Sequence, residues 1–476
     1  MDIDIARLSS LCHRLSAVYP SDATRAAANE FLALEDPSAA LDQALSFLAW
    51  QRTLRIALTH LDDAGGDLDQ LRMSGERLRR VFGDRRRVWT ISGASSFTAR
   101  QLLDLLTHHK QLLAEPIELL LRTGVDGFVT LSGRGYEAAY PGYTTRAEFD
   151  TDVLAPDLEA GAGIASVLHD GGYPVEKARF VRLGPIPKAV FEHRRHVGDH
   201  LVSVGVLIGS YHGHQGPIAD RSRLVPWRGM ELRVPAPEDM LVMLAARVVR
   251  KQQFAFVNFN DAAVVVNEEG ADNLDWDLVA HQATDGGLES VLAVILEGAE
   301  RVIGRPVVPS AVWTDLDRPR FAPLVRRMAR SVAHPTMNPA AGEDRTSRLV
   351  GRARSRLWVS VVNARQVRAG VEPGLLGTIR RRVETAIYTR QLRRVTTGEA
   401  VTKVDRIMKR LRPGSGALCE LDISLGGGPR CISQLGGRTK DDEAGRILRK
   451  LAAGVPRLGA DHRCDTYRYE LGASKY

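Results

Sequence analysis

The chain has little cysteine, no long apolar run and no internal repeat, and each absence narrows what it can be. Four cysteines in 476 residues, Cys12, Cys419, Cys431 and Cys464, are too few and too scattered for a disulfide framework. No apolar stretch approaches the roughly 20 residues needed to cross a bilayer, so no membrane partner is expected. The first residues, MDIDIARLSSL, are acidic and lack a basic start followed by an apolar core, so no secretory signal is read. A cytoplasmic setting is the expectation that remains. What is present is ordinary for a folded protein: 44% hydrophobic and 26% charged residues, in a length that predicts two to four domains.

The net charge of +8 is unevenly spread. Between Arg345 and Arg412 there are 18 Lys and Arg against four acids, a local charge of +14, so the remainder carries −6. Such a segment suits an acidic or nucleic-acid partner, and equally suits a solvated helical face.

Taken in order, residues 1–122 read as a helical region. LDQALSFLAWQRTLRIALTHL and FTARQLLDLLTHHKQLLAEPIELLLRTG both carry apolar residues at three- and four-residue spacing. Residues 123–235 read as a compact α/β layer of strand, helix, strand, helix, strand, with 210–235 rich in loop. Pro156 and the Gly171-Gly172 pair bracket one of its helices, and LVSVGVLIG, 201–209, is a buried-strand pattern. Residues 236–330 read as a helical partner domain opened by Pro237-Glu238-Asp239. Then follow a basic, partly helical segment, 346–412, and a small α/β module, 417–476, with short strands around Gly426–Gly428, a helix at 441–453 and a strand near 467–471.

The chemistry gathers in Gly127–Leu154, GFVTLSGRGYEAAYPGYTTRAEFDTDVL. It reads as an apolar strand, a glycine turn at Gly133, a short helix, a Tyr-Pro-Gly break and a second strand bearing Asp150 and Asp152. Residues two apart on a strand project together, so this pair suits a divalent cation that neutralises phosphate oxygens. Asp-x-Asp alone says little, since four further examples occur at Asp2, Asp67, Asp275 and Asp315. Only Asp150/Asp152 follows a strand and glycine and runs on into Val153-Leu154.

The surroundings Leu131-Ser132-Gly133, Ala139-Tyr140-Pro141-Gly142, Arg146 and Asp150-Thr-Asp152-Val-Leu resemble the nucleotidyltransferase-like family of the DNA polymerase β superfamily, in its uncharacterised bacterial branch. The similarity continues through Gly171-Gly-Tyr173, Pro237-Glu-Asp-Met-Leu241, Lys251, Asp261 and Leu274-Asp-Trp276, over roughly 95–310. It implies an α/β (α+β) nucleotidyltransferase fold, a mixed sheet with flanking helices, here joined to helical domains and a small C-terminal α/β extension. It implies Mg2+ held by Asp150 and Asp152 against the triphosphate of an NTP, with a small-molecule or macromolecular acceptor attacking the α-phosphorus. Ser132 and Gly133 would shape the phosphate turn, Arg146 and Lys251 would face the phosphates, and Asp261 would support the site from the helical domain.

Three positions depart from the family motif. Ser132 stands where lysine precedes the glycine, and Ser203 and Gly205 stand where a third carboxylate and, two residues on, a histidine are expected, with Asp199 just upstream. The alternative reading is therefore a catalytically degenerate member that acts as a binding, scaffold or RNA-binding module. Elsewhere, His212 and His214 near Asp220 read as a polar loop, and Cys419, Cys431, His462 and Cys464 have no common zinc spacing. Gly426–Gly428 lack the Lys-Ser/Thr of a phosphate loop.

Overall fold

The computed structural model describes residues 5–84, 95–125, 127–137, 140, 148–156, 158–183, 186–208, 217–251, 254–316, 419–424 and 466–471. The chain begins with α1 (Ile5–Leu15), α2 (Asp22–Leu32), α3 (Pro37–Trp50) and α4 (Leu54–Asp63). The starts of α2 and α3 carry side-chain caps: Ser21 accepts from the Thr24 amide, and Asp36, just ahead of Pro37, accepts from that of Ala39. The apolar spacing that runs from Leu41 to Leu61 is interrupted between α3 and α4, where Arg52 takes a positive φ of 59°. The region is also not wholly helical. β1 (Arg72–Ser74) pairs antiparallel with β2 (Ser96–Thr98), and α5 (Gly75–Leu78) and a π-helical stretch, Arg79–Asp84, follow β1.

α6 (Ala99–Arg122) is the axle between two cores. Thr98 and Gln101 form a reciprocal capping box at its start, with Thr98 accepting from the Gln101 amide and Gln101 accepting from that of Thr98. Its first half buries Leu102 and Leu106 in the core of α1–α5, and its second half buries Leu113, Ile117 and Leu120 in a larger core that follows.

After α6 come β3 (Val129–Leu131), α7 (Ser132–Glu137), β4 (Thr151–Ala155), α8 (Leu158–Asp170), β5 (Val175–Leu183), β6 (Ile186–Val197) and β7 (His200–Ile208). Then follow α9 (Ile218–Arg221), β8 (Arg223–Trp227), β9 (Met230–Val234), α10 (Pro237–Lys251), α11 (Phe256–Glu269), α12 (Trp276–Asp285), α13 (Glu289–Ile303), α14 (Ser310–Leu316), β10 (Cys419–Ser424) and β11 (Thr466–Leu471). Among the described residues seven strands form one sheet, in the order β11-β10-β5-β6-β7-β4-β3. β4 runs parallel to β7 and every other neighbouring pair is antiparallel, so the sheet is mixed, as the α/β (α+β) reading expects.

The two faces of this sheet differ, and the difference makes the site. On one face Val153, Ala155, Phe191, Val202, Val204 and Val206 are buried in the main core with α6 and α8 residues such as Leu113, Ile164 and Leu168. On the other, Val129, Leu131, Leu154 and Leu207 form a small cluster with Ile218 of α9 and Met243 of α10. Below that cluster Asp152, Glu192, Arg194 and Ser203 are only partly covered. Period-two alternation sorts apolar and polar side chains in this way on each strand.

Three elements depart from the sequence reading. The segment between α8 and β7 is a long β5–β6 hairpin that feeds directly into β7. The expected loop-rich 210–235 contains the β8–β9 hairpin, turned by Arg228 and Gly229, whose φ angles of 51° and 75° suit the tight turn that matches strand twist. No turn intervenes between β3 and α7, since Ser132 and Gly133 are the first residues of that helix.

In the helical layer α10 begins at Pro237, as expected, α11 begins at Phe256, and Asp275 caps α12 by accepting from the Leu278 amide. Gly304, with a φ of 84°, ends α13. The basic 346–412 segment, the 441–453 helix, the His212/His214 loop, Cys431, His462 and Cys464 lie outside the described residues. Of the tail, β10 and β11 are described, and β10 pairs with β5 to extend the central sheet. Among the described residues no helix is long and apolar enough to cross a membrane.

Candidate active site

Asp152 sits at the centre of a row of residues that crosses the sheet. Its antiparallel partner on β3 is Leu131, its parallel partner on β7 is Gly205, and the antiparallel partner of Gly205 on β6 is Glu192. Register partners share a face, so Asp152, Gly205 and Glu192 lie side by side on the half-open face. The Asp152 carboxylate leans across the glycine: a Cβ added at Gly205 would stand 2.3 Å from Asp152 Oδ1. Glu192 lies beyond, 20% exposed, with Oε2 3.5 Å from Arg194 Nη2.

Asp150 is exposed one residue ahead of β4, so only Asp152 of the pair is on the strand itself. Its position is set from both sides. Thr151 donates its hydroxyl proton to the Leu113 carbonyl at 3.1 Å, tying the strand start to α6. Phe149 belongs to the core of α1–α5, 6.1 Å from the Phe82 ring, with the Arg52 guanidinium 5.7 Å from its ring centre. Asp150 is therefore strung between the two cores that α6 connects.

The other residues singled out by sequence distribute as follows. Ser132 and Gly133 open α7 immediately beyond Leu131, and therefore beside the Asp152 position in the sheet. Lys251 is the last residue of α10, two turns past Met243, with Arg247 buried between them. Asp261 is fully buried in mid-α11, where its Oδ1 accepts from the Tyr140 hydroxyl at 2.6 Å. That bond makes it a strut between the motif and the helical layer. Arg146 lies outside the described residues. Ser203 is on the half-open face of β7, and Asp199 precedes that strand.

Several contributors escaped the sequence reading. Lys110 of α6 reaches the end of α7, 2.7 Å from Glu137, at 12% and 16% side-chain exposure. Burial pushes the Lys110 pKa down, and the Glu137 and Glu148 carboxylates oppose that shift. Glu148, two residues before Asp150, is itself buried. Tyr136 donates to the Met240 carbonyl, and Arg221 of α9 forks onto the buried Asp239 of α10. These ties need partners from distant segments, and no local pattern signals them.

Histidines mark the other face. His193 is fully buried, its Nδ1 donating to the Tyr173 carbonyl at 2.8 Å, and burial pulls its pKa down to about 4. His200 lies 3.3 Å from His109, Nδ1 to Nδ1, with the His108 ring 4.9 Å away. Burial first, then His108, lowers the His200 pKa.

Among the described residues no three His, Cys, Asp or Glu side chains are grouped to hold a metal ion. Two carboxylates suit Mg2+, which keeps several waters and completes its shell with substrate phosphates.

Residues 103–304 match the model of a family described as uncharacterised nucleotidyltransferase. Comparison with the curated proteins and with the solved structures returned no match. The matched segment starts inside α6, contains the whole Asp150/Asp152 face, and ends with α13, less than half of the chain. Residues 103–304 thus belong to a nucleotidyltransferase family, and this part of the chain is a nucleotidyltransferase-family domain.

Proposed function

We propose that the domain transfers a nucleotidyl group from an NTP to an acceptor, with Mg2+ held at Asp150 and Asp152. The observation that carries the reading is the placement of Asp152. It lies on the half-open face of a mixed sheet, beside the β3–α7 junction, inside the family-matched segment. Bound there, Mg2+ would neutralise phosphate charge and bring the α-phosphorus into reach of a nucleophile. Asp150 and Asp152 would hold the ion, the backbone of Ser132-Gly133 would border the phosphates, and Arg146 and Lys251 would supply positive charge. The acceptor oxygen forms the new bond to the α-phosphorus, and the bond to pyrophosphate breaks. A cytoplasmic setting belongs to the same proposal, in keeping with the sparse cysteines.

The test is incubation of the full chain with α-labelled NTPs, Mg2+ and a cell extract. The proposal expects a labelled species that chelation of Mg2+ abolishes. A second reading, a degenerate member that binds nucleotide without turnover, draws support from Gly205, which leaves β7 without an acid beside Asp152. Calorimetric NTP binding with no labelled species in any extract would favour it.

A further inference from the structure

We infer that Glu192, on β6, is the proton acceptor of this site, reaching it across Gly205 from the neighbouring strand. The inference rests on the nucleotidyl-transfer reading. An acceptor hydroxyl that attacks phosphorus must lose its proton, and the group that takes it must lie within hydrogen-bond reach of that hydroxyl. Asp150 and Asp152 are committed to the cation. β7 offers only Ser203 and Gly205 in the adjoining positions of the same face, and neither is a base.

Glu192 is the carboxylate that the register brings to this row. It stands two strands from Asp152, about 10 Å between Cα atoms, with only Gly205 between. Gly205 is what makes the approach open. Any side chain there would stand between the two acids, and the Asp152 carboxylate already occupies the space a Cβ would take. Glu192 lies at the edge of the apolar cluster, which ends at Leu207 and Val190, so it is partly shielded while still reachable from solvent. Arg194, 3.5 Å from Oε2, braces it from the adjacent position on β6. Two strand spacings set Glu192 apart from Asp152, which keeps a base distinct from the groups that hold the cation.

The step balances simply. The acceptor O–H proton passes to the Glu192 carboxylate, the oxygen bonds to the α-phosphorus, and pyrophosphate leaves with the electrons of the broken P–O bond.

The experiment compares wild type, Glu192→Gln and Glu192→Ala in two assays. One is labelled-NTP transfer in cell extract. The other is calorimetric binding of α,β-methylene NTP analogues with Mg2+. The expected result is a loss of transfer of about 100-fold or more in both variants, with analogue binding unchanged. Added formate, a small carboxylate, is expected to restore transfer in Glu192→Ala, which a purely structural role would not allow. Wild-type transfer with an unaffected Glu192→Gln overturns the inference and leaves nucleotidyl transfer standing. Lost analogue binding in Glu192→Gln also overturns it, because the residue would then hold ligand or fold. No transfer by wild type removes the reading on which the inference rests.

Discussion

At the scale of single residues, the site depends on a side chain that is missing. Gly205 gives Asp152 the room to lie across β7, so Gly205→Ala forces a methyl group to within 2.3 Å of a carboxylate oxygen. The clash is with the end of a flexible side chain, so Asp152 swings aside at little cost to the fold but leaves its place in the row. We expect weaker binding of Mg2+ and NTP analogue with little change in thermal midpoint; unchanged binding would show that the Asp152 rotamer is irrelevant. His193 sets a pH limit on the opposite face. Its pKa falls from 6.5 in the unfolded chain to about 4 in the folded one, chiefly through burial. The unfolded state therefore binds more protons between those values, and stability drops as pH falls from 6.5 towards 4. The loss amounts to a few kcal/mol at most. His60 and His200, shifted the same way by burial, add to it with the same sign. Unfolding titrations across that window should steepen in wild type and flatten in His193→Asn, whose amide keeps a donor for the Tyr173 carbonyl.

At the scale of elements, α6 and the approach to β4 join the Asp pair to the N-terminal core. Phe149→Ala and Phe31→Ala both empty buried aromatic sites of that core, at about 3–5 kcal/mol each. Only Phe149 adjoins Asp150. At equal folded fraction, transfer should fall further in Phe149→Ala; equal activity in the two variants would mean that the core does not position Asp150. Lys110→Met removes a largely buried cation beside Glu137 and Glu148 and should cost about 3–5 kcal/mol, read as a fall in urea midpoint. The sequence announced some of these elements plainly. α6 shows apolar spacing, and the approach to β4 shows an acid pair running into Val153-Leu154. β5 and β6 were missed because VEKARFVRL and IPKAVFEHRRHV place charges where buried-strand runs place aliphatics, although the alternation of a one-sided strand is there. Glu192 was illegible for a different reason. Its nearness to Asp152 arises from two successive strand registers, β6 on β7 and β7 on β4, which no local pattern encodes.

At the scale of the molecule, the family-matched domain is held between an N-terminal helical core and a tail whose strands β10 and β11 lengthen its sheet. The +14 segment between Arg345 and Arg412 is the proposed meeting place for an acidic or nucleic-acid partner. Deleting 345–412 should abolish salt-sensitive retention on RNA; retention that survives the deletion would rule that partner out for this segment. The most direct test of the whole account lies back at the Asp pair: labelled-NTP transfer by the Asp150→Asn, Asp152→Asn double variant, with folding verified by its thermal transition. The account predicts transfer reduced to background in a folded protein, and Mg2+-dependent transfer at the wild-type rate would contradict it.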